Sequence, residues 1–105
     1  MLRIYSVALA VVGDAGAAAT QIGKHDPDLA RQLRRASSSL LLNMAEGSGS
    51  TRGNRRQRYE TARGSAYEVR ACLDVGEQLG YAERRTLEQR ERLSNVIGVL
   101  HKLAR

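Results

Sequence analysis

The sequence contains no phenylalanine and no tryptophan, and four tyrosines are its whole aromatic complement. β-Sheets draw on aromatic and β-branched residues, so a sheet core has little material here. Alanine and leucine, both strong helix formers, are left to do the packing. Pro27 is the one proline, so almost nothing interrupts long helices. Cys72 is the one cysteine, which excludes an internal disulfide and implies no oxidising compartment. With no histidine beside it, Cys72 reads as a small buried hydrophobe rather than a nucleophile. Long apolar runs are also missing. The stretch Val7 to Val12 is shorter than a usual signal-peptide core and far short of the ~20 residues of a membrane helix. Asp14 then interrupts it. The expectation is a buried helix in a cytoplasmic protein with no membrane partner, a signal peptide being the alternative. A chain of 105 residues makes one domain, residues 1–105.

What is present is apolar spacing of helical period. Ile4, Ala8, Val11, Ala15, Ala18 and Ile22 form one stripe, and Tyr5, Leu9, Val12, Gly16 and Ala19 form a second beside it. The break at 23–28 offers Asp26 as a cap and Pro27 as a first helical residue. Leu29, Leu33, Ala36, Leu40 and Met44 mark a second helix that stops near Gly47. A third carries Tyr59, Ala62, Ala66, Val69 and Leu73, with Cys72, Val75 and Leu79 on a neighbouring line and Gly80 as C-cap. A fourth has Leu93, Ile97, Leu100 and Ala104, with Val96, Val99 and Leu103 alongside. The predicted helices span about 2–23, 27–46, 54–79 and 83–104. Short connections between them predict an all-α, antiparallel up-down-up-down four-helix bundle. The doubled apolar lines leave more to bury than one protomer covers, which predicts a closed homo-oligomer.

Charge is unevenly spread. The whole net +6 falls in residues 31–70, which hold nine arginines against Glu46, Glu60 and Glu68. Only Lys24 and Lys102 are lysines among 17 basic residues. Arginine's planar fork bonds phosphate in a bidentate way and stacks on bases, which lysine does not do. The candidate contacts are Arg31, Arg34, Arg35, Arg52, Arg55, Arg56 and Arg58, with the segment 52–58 beside a glycine loop and a helix N-terminus suited to phosphate oxygens. The competing reading is an arginine-rich surface that serves solubility alone. No helix-turn-helix, zinc-finger or RNA-recognition signature is present, so binding should be led by the nucleic-acid backbone.

Ser39, Asn43 and Glu46 share one side of the second helix, while Ser65 and Glu68 lie in line with Cys72 on the third. A di-iron bundle would need glutamates plus Glu-x-x-His from two helices. His25 and His101 stand in no such motif, so no metal, cofactor or catalytic residue is expected. Asn43, Glu46 and Glu68 are read instead as buried structural polar residues that satisfy each other and helix ends.

The segments QLRRASSSLLLNMAEGSGS (32–50) and ARGSAYEVRACLDVGEQLGY (62–81) carry a resemblance over about half the chain. Gln32, Arg34, Arg35 and Ala36, then Asn43, Ala45, Glu46 and Gly47, then Gly64, Ser65 and Glu68, then Leu79, Gly80 and Tyr81 follow in the expected order. The pattern resembles the bacterial four helix bundle proteins, which include those encoded in intervening sequences of large-subunit ribosomal RNA genes. Accessory variability proteins of retroelements are more distant relatives. Family members often carry proline where Leu41 stands, so the second helix should be straighter here. The resemblance implies a ring-like homopentamer. Its retroelement relatives imply a non-catalytic protein that binds RNA and a reverse transcriptase. The function expected is therefore a non-enzymatic basic accessory protein that binds nucleic acid, RNA preferred, through helices two and three. The alternative is a homo-oligomeric assembly module that binds protein and no nucleic acid.

Overall fold

A computed structural model describes residues 3–105. Four helices account for most of them: α1 (Tyr5–Gly23), α2 (Pro27–Ser48), α3 (Arg52–Gln78) and α4 (Leu87–Leu103). Among the described residues there is no strand. The expected start of the first helix at residue 2 lies outside the described residues.

Local chemistry sets each boundary. The Asp26 carboxylate accepts the Leu29 amide at 3.0 Å and Pro27 occupies the first turn, so α2 starts where the sequence offered its cap. It then runs unbroken through Leu41 and past Gly47, ending at Ser48 rather than 46. Gly47, one residue before that end, also serves as a notch. A β-carbon there would lie 2.7 Å from Cε1 of Tyr59, so the bare glycine lets the phenol ring sit against the α2 backbone. Gly76 plays the same part for Ile22 of α1, whose Cδ1 would lie 2.7 Å from an added β-carbon.

The α2–α3 connection is consequently short, and α3 begins at Arg52 instead of 54. Its other end closes with Gly80 at φ +76°, the left-handed conformation that glycine adopts without penalty. The Tyr81 amide donates to the Gly76 carbonyl at 2.8 Å and the Gly80 amide to the Glu77 carbonyl at 3.1 Å. These two bonds satisfy carbonyls that the helix end would leave open.

The fourth helix starts at Leu87, four residues later than the apolar pattern suggested. Thr86 and Gln89 form a reciprocal capping box, with bonds of 3.1 and 2.9 Å. Upstream of it Arg85 is drawn back to α3, where Nε donates to Glu77 at 2.5 Å and Nη2 to Asp74. A residue held that way cannot also continue α4 toward residue 83.

One core runs through the molecule. Ala8, Ala15, Ala19 and Ile22 of α1, Leu33, Leu40 and Met44 of α2, Tyr59, Ala66 and Val69 of α3, and Val96 and Leu100 of α4 are all buried in it. α2 packs against α1 and α3, and α4 against α3 and α1. The alanines on α1 allow its backbone to approach closely. Arg92 of α4 grips Asp14 of α1 with bonds of 3.0 to 3.1 Å, so the charge that interrupts α1 is answered within the protein.

The second apolar lines behave differently from the first. Leu9 is 51% exposed, and Tyr5, Val12 and Gly16 are half-buried. Val75 and Leu79 at the end of α3 are also exposed. On α4, Val96 turns inward and Val99 and Leu103 pack on the core margin. α1 is long and apolar enough by length and composition to cross a membrane, yet only 28% of that span is buried here. Its outward side, Leu9, Gly13 and Ala17 between Ser6 and Thr20, is exposed and carries no charge.

Candidate nucleic-acid interface

The seven arginines singled out from the sequence are all exposed, but they fall into separate groups. Arg31, Arg34 and Arg35 stand near the start of α2. Arg31 pairs with Asp28 one turn away, and Arg34 donates to Thr20 of α1 at 3.2 Å. Arg52, Arg55, Arg56 and Arg58 stand at the start of α3, which lies beside the far end of α2. From Arg34 to Glu46 is about 18 Å along the helix at 1.5 Å per residue. The two groups are thus not one cluster.

Within the second group the arginines differ. Arg58 is neutralised: it pairs with Glu46 at 2.9 Å and donates to Asn43 Oδ1 at 3.3 Å. Arg55 donates to the Ser50 carbonyl at 3.1 Å. Among the described residues, Arg52, Arg55 and Arg56 form no salt bridge. Together with Gly53, Leu103 and Arg105 they line an open cavity of about 320 Å³. Four arginines line it, and no aspartate or glutamate does. No side chain caps the start of α3 either, so its first amides add to the positive field.

The polar residues form a seam between α2 and α3. Ser39 and Ser65 share a hydroxyl bond of 2.8 Å, and Gln32 donates to Glu68 at 3.5 Å. Asn43 donates to the Ser39 carbonyl at 2.8 Å and accepts from Arg58. Asn43 is half-buried, but Glu46 and Glu68 are exposed, contrary to the burial expected for both. The helical period places them at the margin of the α2–α3 contact, where carboxylates stay hydrated and need no buried partner.

Cys72 is buried, and burial first, then the charge of Glu68, pushes its thiol pKa above the ordinary value. It is a packed neutral thiol rather than a ready thiolate. No group of three metal-ligating side chains occurs among the described residues. Two features went unnoticed in the sequence. One is the buried pairing of Arg85 with Glu77, where both side chains are about nine-tenths covered. The other is the pairing of Tyr67, the one candidate aromatic platform of the sequence, with His101, whose Nε2 lies 2.6 Å from the phenol hydroxyl. Neither partner is near the other in sequence, so no local spacing signals the pair.

Fold and surface define a small all-α protein of four helices with a concentrated arginine surface. The chain belongs to the 23S rRNA-intervening sequence protein family, whose sequence pattern matches residues 2–102. No curated protein matches it, and no solved structure does.

Proposed function

We propose that this chain is a non-enzymatic basic accessory protein that binds RNA in the cytoplasm. The observation that carries the reading is the group Arg52, Arg55, Arg56 and Arg105, lining one cavity with no aspartate or glutamate among its residues. Arg31, Arg34, Arg35 and Arg58 extend the contact surface along α2 and the start of α3. The family's connection with a ribosomal RNA intervening sequence fits an accessory role. Asn43, Glu46 and Glu68 serve structure, tying α2 to α3 and setting the tilt of Arg58. A reverse transcriptase or another protein is the further partner this reading allows.

The architecture proposed is an antiparallel up-down-up-down bundle. Its support is the order of contacts: Gln32, Ser39 and Asn43 along α2 meet Glu68, Ser65 and Arg58 along α3, one series rising as the other falls. The experiment is a filter-binding titration against single-stranded RNA at two salt concentrations. Each phosphate neutralised contributes about −0.7 to the log–log salt slope. R52Q/R55Q/R56Q/R58Q should flatten that slope while the helices remain. Binding no tighter than that of an unrelated protein of equal charge would overturn the reading.

One observation favours a second reading. The outward apolar side of α1, with Leu9 half exposed, suits a homo-oligomeric assembly module, a homopentameric ring by family resemblance. That module would bind protein and no nucleic acid.

A further inference from the structure

Arg52, Arg56, Arg63, Tyr67 and Arg70 are separated by four, seven, four and three residues, which places them along one side of α3. That side faces α4. Arg63 Nη1 lies 3.2 Å from His101 Nδ1, Tyr67 Oη lies 2.6 Å from His101 Nε2, and the Arg52–Arg56 end shares its cavity with Arg105. The opposite side of α3 meets α2 through Ser65 and Arg58. From Arg52 to Arg70 the row is about 27 Å long at 1.5 Å per residue.

None of these arginines forms a salt bridge, which is true also of Arg34, Arg35, Arg55 and Arg84 among the described residues. Arg31, Arg58, Arg85, Arg90 and Arg92 each pair with a carboxylate. Arg63 is held instead by an imidazole, and Arg70 lies 5.0 Å over the Tyr67 ring. Both are oriented without being neutralised. Glu60 is the one carboxylate interposed on this side, and it forms no salt bridge with them. Arginine only donates, so His101 accepts at Nδ1 and carries its proton on Nε2. That proton goes to Tyr67 Oη, which leaves the phenol hydrogen free to donate outward.

We infer that the α3–α4 edge is the path of one nucleic-acid strand, with Arg56, Arg63 and Arg70 on phosphates spaced along it and the Tyr67 hydroxyl donating between the last two. The inference rests on the reading that the protein binds RNA, and it extends the Arg52–Arg56 contact along the other side of α3 from Arg58. A single row of cations beside an aromatic ring matches one phosphodiester backbone, where a duplex would present two.

The test uses the full chain and a uridine homopolymer. R63Q/R70Q should weaken binding about tenfold at low salt and flatten the slope by about 1.4, two phosphates' worth on a single strand. K24Q/R84Q removes the same charge at exposed positions elsewhere and should change affinity far less. Equal losses in the two variants overturn the track and leave RNA binding standing. No binding by the parent chain beyond that of a charge-matched protein overturns both. A second measurement needs no variant: photocrosslinks from thiouridine-substituted strands should map to the α3 segment 63–70 and to His101. Crosslinks confined to α2, or tighter binding of duplex than of single strand, overturn it.

Discussion

Gly47 of α2 lies directly against the ring of Tyr59 on α3, with no room between them for a methyl group. Tyr59 is fully buried, so its ring cannot swing aside. Gly47→Ala should gain ~1 kcal/mol of helix propensity and lose about 1–3 kcal/mol through overpacking. The net expectation is a lower urea midpoint, and Tyr59→Leu in the same chain should recover part of it. An alanine variant as stable as the parent would show that the two helices separate easily.

That contact also shows what the sequence could and could not disclose. Apolar period placed the helices, and Asp26–Pro27 and Gly80 announced their own ends, because caps act through neighbours in sequence. Gly47 announced the end of α2 one residue early, since a glycine notch and a glycine stop look alike until the partner ring is known. The start of α4 was misplaced because Arg85 answers to Glu77, across a turn. Arg63 and Arg70 were counted in the basic excess but not singled out. Their distinction lies in His101 and Tyr67, which a charge count cannot see.

The pair of Arg85 and Glu77 is the most covered ion pair among the described residues, with Asp74 also on Arg85 and Arg90 on Glu77 at 3.3 Å. Removing Glu77 leaves the covered Arg85 with only the exposed Asp74 as a partner. Glu77→Ala should therefore cost less than the ~3–5 kcal/mol of a wholly uncompensated buried charge, and replacing both as E77L/R85M should cost less again. Chemical denaturation of the two variants checks this. A single variant no worse than the double would mean that water already reaches the pair.

Stability should fall in alkali. Burial raises the pKa of both the Cys72 thiol and the Tyr59 phenol, so the folded chain holds these protons more tightly than the unfolded chain. Their stabilisation is complete below the unfolded values, near 8.5 for a thiol and 10 for a phenol. It is lost as pH rises through the raised folded values. Thermal unfolding followed from pH 7 upward should decline above about pH 9, and Y59F should flatten the upper part of that decline. Native Cys72 should also react slowly with a thiol reagent at neutral pH and fully after denaturation.

The last expectation concerns the outward side of α1. Asp14, the one charge within that helix, is already bound by Arg92, so nothing charged on α1 opposes contact with a second copy. Leu9 is half exposed, and Val12 and Tyr5 flank it within a turn on either side. Burying a leucine side chain is worth about 1.5–3 kcal/mol, and a closed ring repeats that gain at every interface. Light scattering at micromolar concentration should therefore give a single species several times the mass of the 11.5 kDa chain. Leu9→Arg places a charge on that side without touching the core, and should yield folded monomer with the parent's helical content. A parent chain that is itself monomeric would leave the apolar side of α1 without this role. A Leu9→Arg variant that still assembles would move the interface to the exposed Val75 and Leu79 at the end of α3.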